Sequence, residues 1–218
     1  MSHHAEELHG RKPTRHERQA GRPWDASYRD GPAPWDIGAA QPAVLRLATA
    51  GAFAGEVLDA GCGTGDNAAC IAAQGVHVYG FDVAPTAVRM ARERAAAQHL
   101  DAEFVVADAL DLRRLDRRFD TVLDCALFHA LDPDERRTYV AGIASVTNPG
   151  AALYLLAFAT SDAEAVGPHP VSRQELCQPF NDDPHWNIRS IDTERLHARF
   201  APQGVPAWRL RADRVAPP

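Results

Sequence analysis

The stretch VLDAGCGTGD, residues 57–66, limits what this chain can fold into more than any other. A short apolar run leads directly into glycines at 61, 63 and 65, and a helix-like segment follows. A strand that ends in such a turn opens a βα unit, and the glycines let a ligand approach bare backbone. In an open parallel sheet that ligand lies at the carboxyl ends of the strands, near the switch point. The turn by itself fits any nucleotide-type ligand.

The rest of the chain repeats the unit. PAVLRLATA reads as a helix, GEVLDA as a strand, NAACIAAQ as a helix and VHVYGFD as a strand. PTAVRMARERAAAQ (helix), AEFVVAD (strand), FDTVLDCALF (strand), PDERRTYVAGIASV (helix) and AALYLLAFA (strand) continue the series. Pro85 and Pro133 sit where helices start. WNIRSID and PAWRLRADR read as two final strands around a short helix, TERLHARF. This alternation predicts a single α/β domain: a Rossmann-like, doubly wound, mostly parallel seven-stranded sheet with helices on both faces. Residues 1–20 read as a disordered tail, 21–42 as an aromatic segment covering the core, and 43–218 as the α/β domain itself. The tail is polar and aperiodic. The cover carries Trp24, Tyr28 and Trp35 among Pro and Gly, which implies packing onto something rather than solvation.

Composition excludes several classes. No run of about 18 apolar residues is present to span a membrane, and the N-terminus lacks the apolar stretch of a signal peptide, so a cytoplasmic protein is expected. Cys62, Cys70, Cys125 and Cys177 are too scattered for a disulfide framework or a zinc site, and no metal is expected. A net charge of −6 argues against a nucleic-acid partner. The Arg cluster at 113, 114, 117 and 118 reads as a solvated surface.

Three details narrow the ligand. The spacing is G-x-G-x-G, not the dinucleotide G-x-G-x-x-G. Asp59, ahead of the first glycine, repels a pyrophosphate but holds a cationic ammonium, directly or through water. Asp82, ending the next strand, accepts both hydroxyls of a ribose. S-adenosylmethionine has a ribose and an amino group and lacks phosphate. A nicotinamide-dependent oxidoreductase and a non-catalytic S-adenosylmethionine-binding protein are the alternative classes; the glycine spacing and Asp59 oppose the first.

VLDAGCGTGD resembles motif I of the class I S-adenosylmethionine-dependent methyltransferases. The resemblance continues through YGFDVAP, VVADALDL, FDTVLDCALFHALDPDERRTYV and NPGAALYLL, over roughly residues 36–160. It implies that the Gly61–Gly65 turn, with Cys62 and Gly63 inside it, lies under the methionine part. It implies that Asp82 with Val83 takes the ribose, that Asp108 and Ala109 flank the adenine, and that Asp124 ends strand four beside the methyl group. A structural role stays open for each: Asp59, Asp82 and Asp108 as caps, Asp124 as a solvated strand end, Cys62 as packing.

The lead segment WD…PWDIGAAQP resembles the N-terminal cover of the small-molecule thiopurine, thiol and halide methyltransferases. Carried over, Trp35, Asp36 and Gln41 enclose cofactor and acceptor, with Trp24 and Tyr28 nearby. The expected acceptor is a small apolar or heteroaromatic molecule methylated on S, O or N. His129, directly after strand four, is the candidate base; His169 and His185 lie in later loops. Phe128 and Phe158 are candidates to line the acceptor pocket or to pack in the core.

Overall fold

The computed structural model describes residues 11–160 and 169–216. Three short helices come first: α1 (Arg15–Ala20), α2 (Trp24–Arg29) and α3 (Pro42–Thr49). Then follow β1 (Val57–Ala60), α4 (Asp66–Ala72), β2 (Val78–Asp82), α5 (Pro85–Ala97), β3 (Ala102–Val106) and β4 (Phe119–Cys125). The chain ends with α6 (Pro133–Ser145), β5 (Thr147–Phe158), α7 (Arg173–Asp182), β6 (Trp186–Ala198) and β7 (Ala201–Arg214). Single 3₁₀ turns at Leu112–Leu115 and Phe128–Ala130 flank β4.

The seven strands form one sheet in the order β3-β2-β1-β4-β5-β7-β6. Strands β1 to β5 pair in parallel, and β7 runs antiparallel to β5 and to β6. The order reverses between the paired strands β1 and β4, so the connections leaving their carboxyl ends run to opposite faces and open a crevice between them. Strand residues alternate between faces. Leu58, Ala60, Phe119 and Val122 pack with Tyr139, Val140 and Ile143 of α6 and with Phe180 of α7. Val57 and Leu123 pack on the other face with Val44 of α3, Ile71 of α4 and Val88 of α5. Helices therefore cover both faces, as the alternation predicts.

Two expectations fail. TERLHARF is not a helix: Thr193, Glu194 and Leu196 pair with Trp208, Ala207 and Val205 of β7. Eight residues carry too little periodicity to separate helix from strand, and here a long partner strand decides. The expected disordered tail is also wrong for residues 11–20. Thr14 N and Oγ1 both donate to Glu17 Oε2 (2.9 and 3.1 Å), closing a capping box that starts α1, and Gly21 ends the helix in the left-handed conformation. The tail histidines His3, His4 and His9 lie outside the described residues.

The β6–β7 hairpin is longer than its neighbour. Pairing of β7 with β5 stops at Ala207↔Phe158, while the hairpin continues to Ala198↔Ala201. Its tip thus projects past the carboxyl end of β5, on the side of the crevice.

Candidate active site

One cavity opens over the carboxyl ends of β1, β2 and β4, and the glycine turn forms its floor. Gly61, Gly63 and Gly65 have φ of +70°, +52° and +81°, a region open to glycine and strained for other residues. Gly65 also lacks room: a Cβ there would lie 2.9 Å from Ala91 Cβ. Its role is to seat α4 against α5, and it does not line the cavity as expected of it.

Asp82 joins the turn to β2. Its Oδ2 accepts from Gly63 N and its Oδ1 from Ala84 N, both at 2.9 Å, so the carboxylate is held rigidly at the cavity wall beside Val83. Burial pushes its pKa up, opposed by these amides. Asp108 and Ala109 line the same wall after β3, and Asp108 Oδ1 accepts from Leu110 N at 2.9 Å.

Asp59 and Asp124 lie beneath the cavity wall; for Asp124, whose oxygens are all engaged, this corrects the expectation. Asp59 is 1% exposed, and neither of its carboxylate oxygens has a hydrogen-bond partner among the described residues. Burial, then the neighbouring Asp124 and Asp82, push it up to about 7. Asp124 is fully satisfied. Its Oδ1 accepts from Leu127 N (3.0 Å) and Phe128 N (3.3 Å), and its Oδ2 from Tyr139 Oη (2.8 Å). It shapes the loop after β4 and has no open face for an acceptor. Phe128 is likewise a core residue, stacked with Phe180 at 6.1 Å and absent from the cavity wall.

The N-terminal segment closes the cavity from above. Trp24 meets Trp35 edge-to-face at 5.3 Å, Trp35 meets Tyr28 at 6.0 Å, and Trp35 Nε1 donates to Tyr28 Oη (3.1 Å). All three rings line the cavity, as does Phe158. Asp25 accepts from Thr86 N (2.7 Å) at the start of α5, and Asp36 accepts from Thr64 Oγ1 (2.9 Å) in the glycine turn. Gln41 clasps the hairpin: its Nε2 donates to His197 O (2.8 Å) and its Oε1 accepts from His197 N (2.9 Å). Glu135, in the first turn of α6, accepts from Arg15 N (3.1 Å) and Arg18 Nη1 (2.9 Å), which ties α1 down.

His129 lines the cavity and stacks on Phe158 at 4.4 Å. Phe158 N donates to its Nδ1 at 3.3 Å, which leaves the ring proton on Nε2. Burial, with His169 and Arg136 nearby, pulls its pKa down to about 3. This imidazole is a weak base and a good N–H donor, so the expected proton-abstracting role does not suit it. His169 lines the cavity, and His185 does not. Sequence reasoning missed His16, Asn67, Leu196 and Phe200, all on the cavity wall. The T-x-x-E signature at Thr14–Glu17 was the available sign that the residues around His16 are ordered.

These residues fit S-adenosylmethionine. An orphaned buried carboxylate suits its ammonium group, Asp82 suits its ribose, and the left-handed glycines leave backbone bare beside them. No helix among the described residues is long and apolar enough to cross a membrane.

A family model described as a methyltransferase domain matches residues 57–150. The 2-heptyl-1-hydroxyquinolin-4(1H)-one methyltransferase of Mycobacteroides abscessus is 38% identical over 76% of this chain and 73% of its own length. A probable thiol methyltransferase of Arabidopsis thaliana is 27% identical over 70% and 68%. The solved structure from work on conversion of a disulfide bond into a thioacetal group during echinomycin biosynthesis superposes with a TM-score of 0.78. It is 37% identical and covers 88% of this chain and 91% of that one.

Proposed function

The chain belongs to the class I S-adenosylmethionine-dependent methyltransferases, and from that premise we propose that it methylates a heteroatom of a small, planar heteroaromatic molecule. The observation that carries the acceptor class is the set of aromatic rings, Trp24, Tyr28, Trp35 and Phe158, that lines the same cavity as the glycine turn. Flat rings stack on such a wall, and an apolar box with few polar points is how small-molecule sites select. The relatives named for a hydroxyquinolinone and a thiol support the same size class.

S-adenosylmethionine supplies a methyl group already activated on a sulfonium. The protein has to align the partners at about 3 Å and exclude water. Asp82 and Val83 hold the ribose, Asp59 pairs with the ammonium, and Asp108 and Ala109 flank the adenine. Trp35 and Tyr28 close the top, and residues 21–42 act as the lid. His129 offers Nε2–H to the acceptor and fixes its orientation. The free thiols of Cys62, Cys70, Cys125 and Cys177 suit a reducing compartment such as the cytoplasm.

The test is calorimetric titration with S-adenosylhomocysteine, followed by a methylation screen of hydroxyquinolones, phenols and thiols. Micromolar binding with turnover of a bicyclic hydroxyl compound is expected. Turnover confined to aliphatic thiols would overturn the heteroaromatic assignment.

A further inference from the structure

Resting on the methyltransferase reading, we propose that His16, His129 and His169 form an acceptor-binding trio that takes the acceptor in its anionic form. The three imidazoles come from separate segments: α1, the turn after β4, and the stretch before α7. All three line the cavity. His16 stacks on Trp24 at 4.1 Å and meets His169 edge-on at 5.6 Å. Among the described residues, no side-chain hydrogen bond engages the ring nitrogens of His16 or His169, so both retain N–H groups to donate.

The charges around the trio point the same way. The charges of Arg15 and Arg136 act on His169, and that of Arg136 also on His129. The nearby carboxylates are engaged elsewhere. Glu17 faces His16 but bonds Arg11 (2.7 Å) and Trp24 N (3.1 Å). Glu175 caps α7 through Ser172 N (2.8 Å) and lies 4.0 Å from Arg136. Glu135 accepts from Arg15 N and Arg18. Asp36, Asp66 and Asp82 gather at the glycine turn, where they accept from Thr64 Oγ1 and Gly63 N, and Asp108 lines the same cavity. Acids thus cluster at the glycine turn, where the cationic donor binds, while Arg15 and Arg136 add positive potential at the imidazoles.

This arrangement removes the need for a base. A lone pair on the anionic heteroatom forms the bond to the methyl carbon. The carbon–sulfur bond breaks, its electrons return to sulfur, and both charges cancel without a proton leaving the acceptor. Neutral imidazole N–H groups stabilise the incoming anion by charge-assisted hydrogen bonds.

The probe pair is 4-nitrophenol, in mildly alkaline buffer where it is ionised, and its neutral ether 4-nitroanisole, each titrated into the S-adenosylhomocysteine-saturated protein. The phenolate is expected to bind about tenfold more tightly, as a charge-assisted bond provides. His16→Phe keeps a ring over Trp24, and His169→Asn tolerates the left-handed backbone at that position (φ +56°). Each should shrink the phenolate preference about threefold or more while leaving S-adenosylhomocysteine affinity unchanged. Equal binding of the two probes, no binding of the phenolate, or variants that weaken S-adenosylhomocysteine with the preference intact would overturn the proposal. Failure of S-adenosylhomocysteine to bind the unmodified protein would instead sink the cofactor assignment.

Discussion

Tyr139 Oη donates to Asp124 Oδ2 at 2.8 Å, inside the fold and with both residues fully buried. The contact joins the middle of α6 to the end of β4. It consumes the acid that the resemblance places beside the methyl group. Asp124 instead fixes the loop that carries Leu127 and His129 to the cavity.

Tyr139→Phe leaves a buried carboxyl one donor short, which costs about 1–3 kcal/mol. Thermal unfolding should report that loss, while affinity for S-adenosylhomocysteine stays within about threefold of the parent. A large affinity loss without destabilisation would place Asp124 in the binding machinery.

Asp59 titrates near 7 in the unliganded protein and should ionise when a ligand ammonium pairs with it. Near pH 6 the acid is mostly protonated, so binding releases a proton; above about 8 it does not. Calorimetry in two buffers of different ionisation enthalpy reads this directly, and Asp59→Asn should abolish the release. The unliganded protein should also lose stability as pH rises from about 4 to 7, because native Asp59 holds its proton longer than the unfolded chain does.

Asp82→Ala removes the proposed ribose acceptor and also frees the Gly63 and Ala84 amides. A loss of about 1–3 kcal/mol in S-adenosylhomocysteine binding is expected, roughly 5- to 150-fold in Kd. Unchanged affinity would mean that the ribose is held elsewhere.

His129 stays neutral across the ordinary working range, since its pKa lies at about 3. No limb of the pH–rate profile between about 5 and 9 should belong to it. His129→Phe, which keeps a ring against Phe158, should raise the acceptor KM more than it lowers kcat. A lost basic limb in the variant would restore the base assignment.

Glu135 and Arg18 form an ion pair but should differ in weight. Arg18 is 47% exposed along its side chain, and such surface pairs contribute about 0–1 kcal/mol. Glu135 also accepts from Arg15 N and Asp132 N and completes the capping box of α6. Glu135→Ala should cost about 1–3 kcal/mol in thermal unfolding and loosen the cover. Equal effects of Arg18→Ala and Glu135→Ala would show that the surface pair alone holds α1.

Much of the fold was legible because its signals are local. The glycine turn, the two helix-start prolines and the alternation of short apolar runs with longer periods each depend on neighbours within one βα unit. Gly61, Gly63, Asp82, Val83, Asp108 and Ala109 reach the cavity for the same reason: each ends or follows a parallel strand, and all those strands end on one side. TERLHARF failed because its state depends on β7, a partner met only after the turn.

By itself, then, the sequence determined the sheet, the strand-end wall of the cavity and the family, since strand ends and glycine spacing carry that information within short windows. Only the tertiary structure decided what lines the rest of the cavity. His16, Trp24, His129, Phe158 and His169 lie far apart along the chain, and they meet because α1 is pinned to α6 and the cover is clasped to the β6–β7 hairpin. The structure likewise removed Asp124 and Phe128 from the site: whether a strand-end side chain faces a ligand or a packed helix depends on what lies across from it, and that is a three-dimensional property.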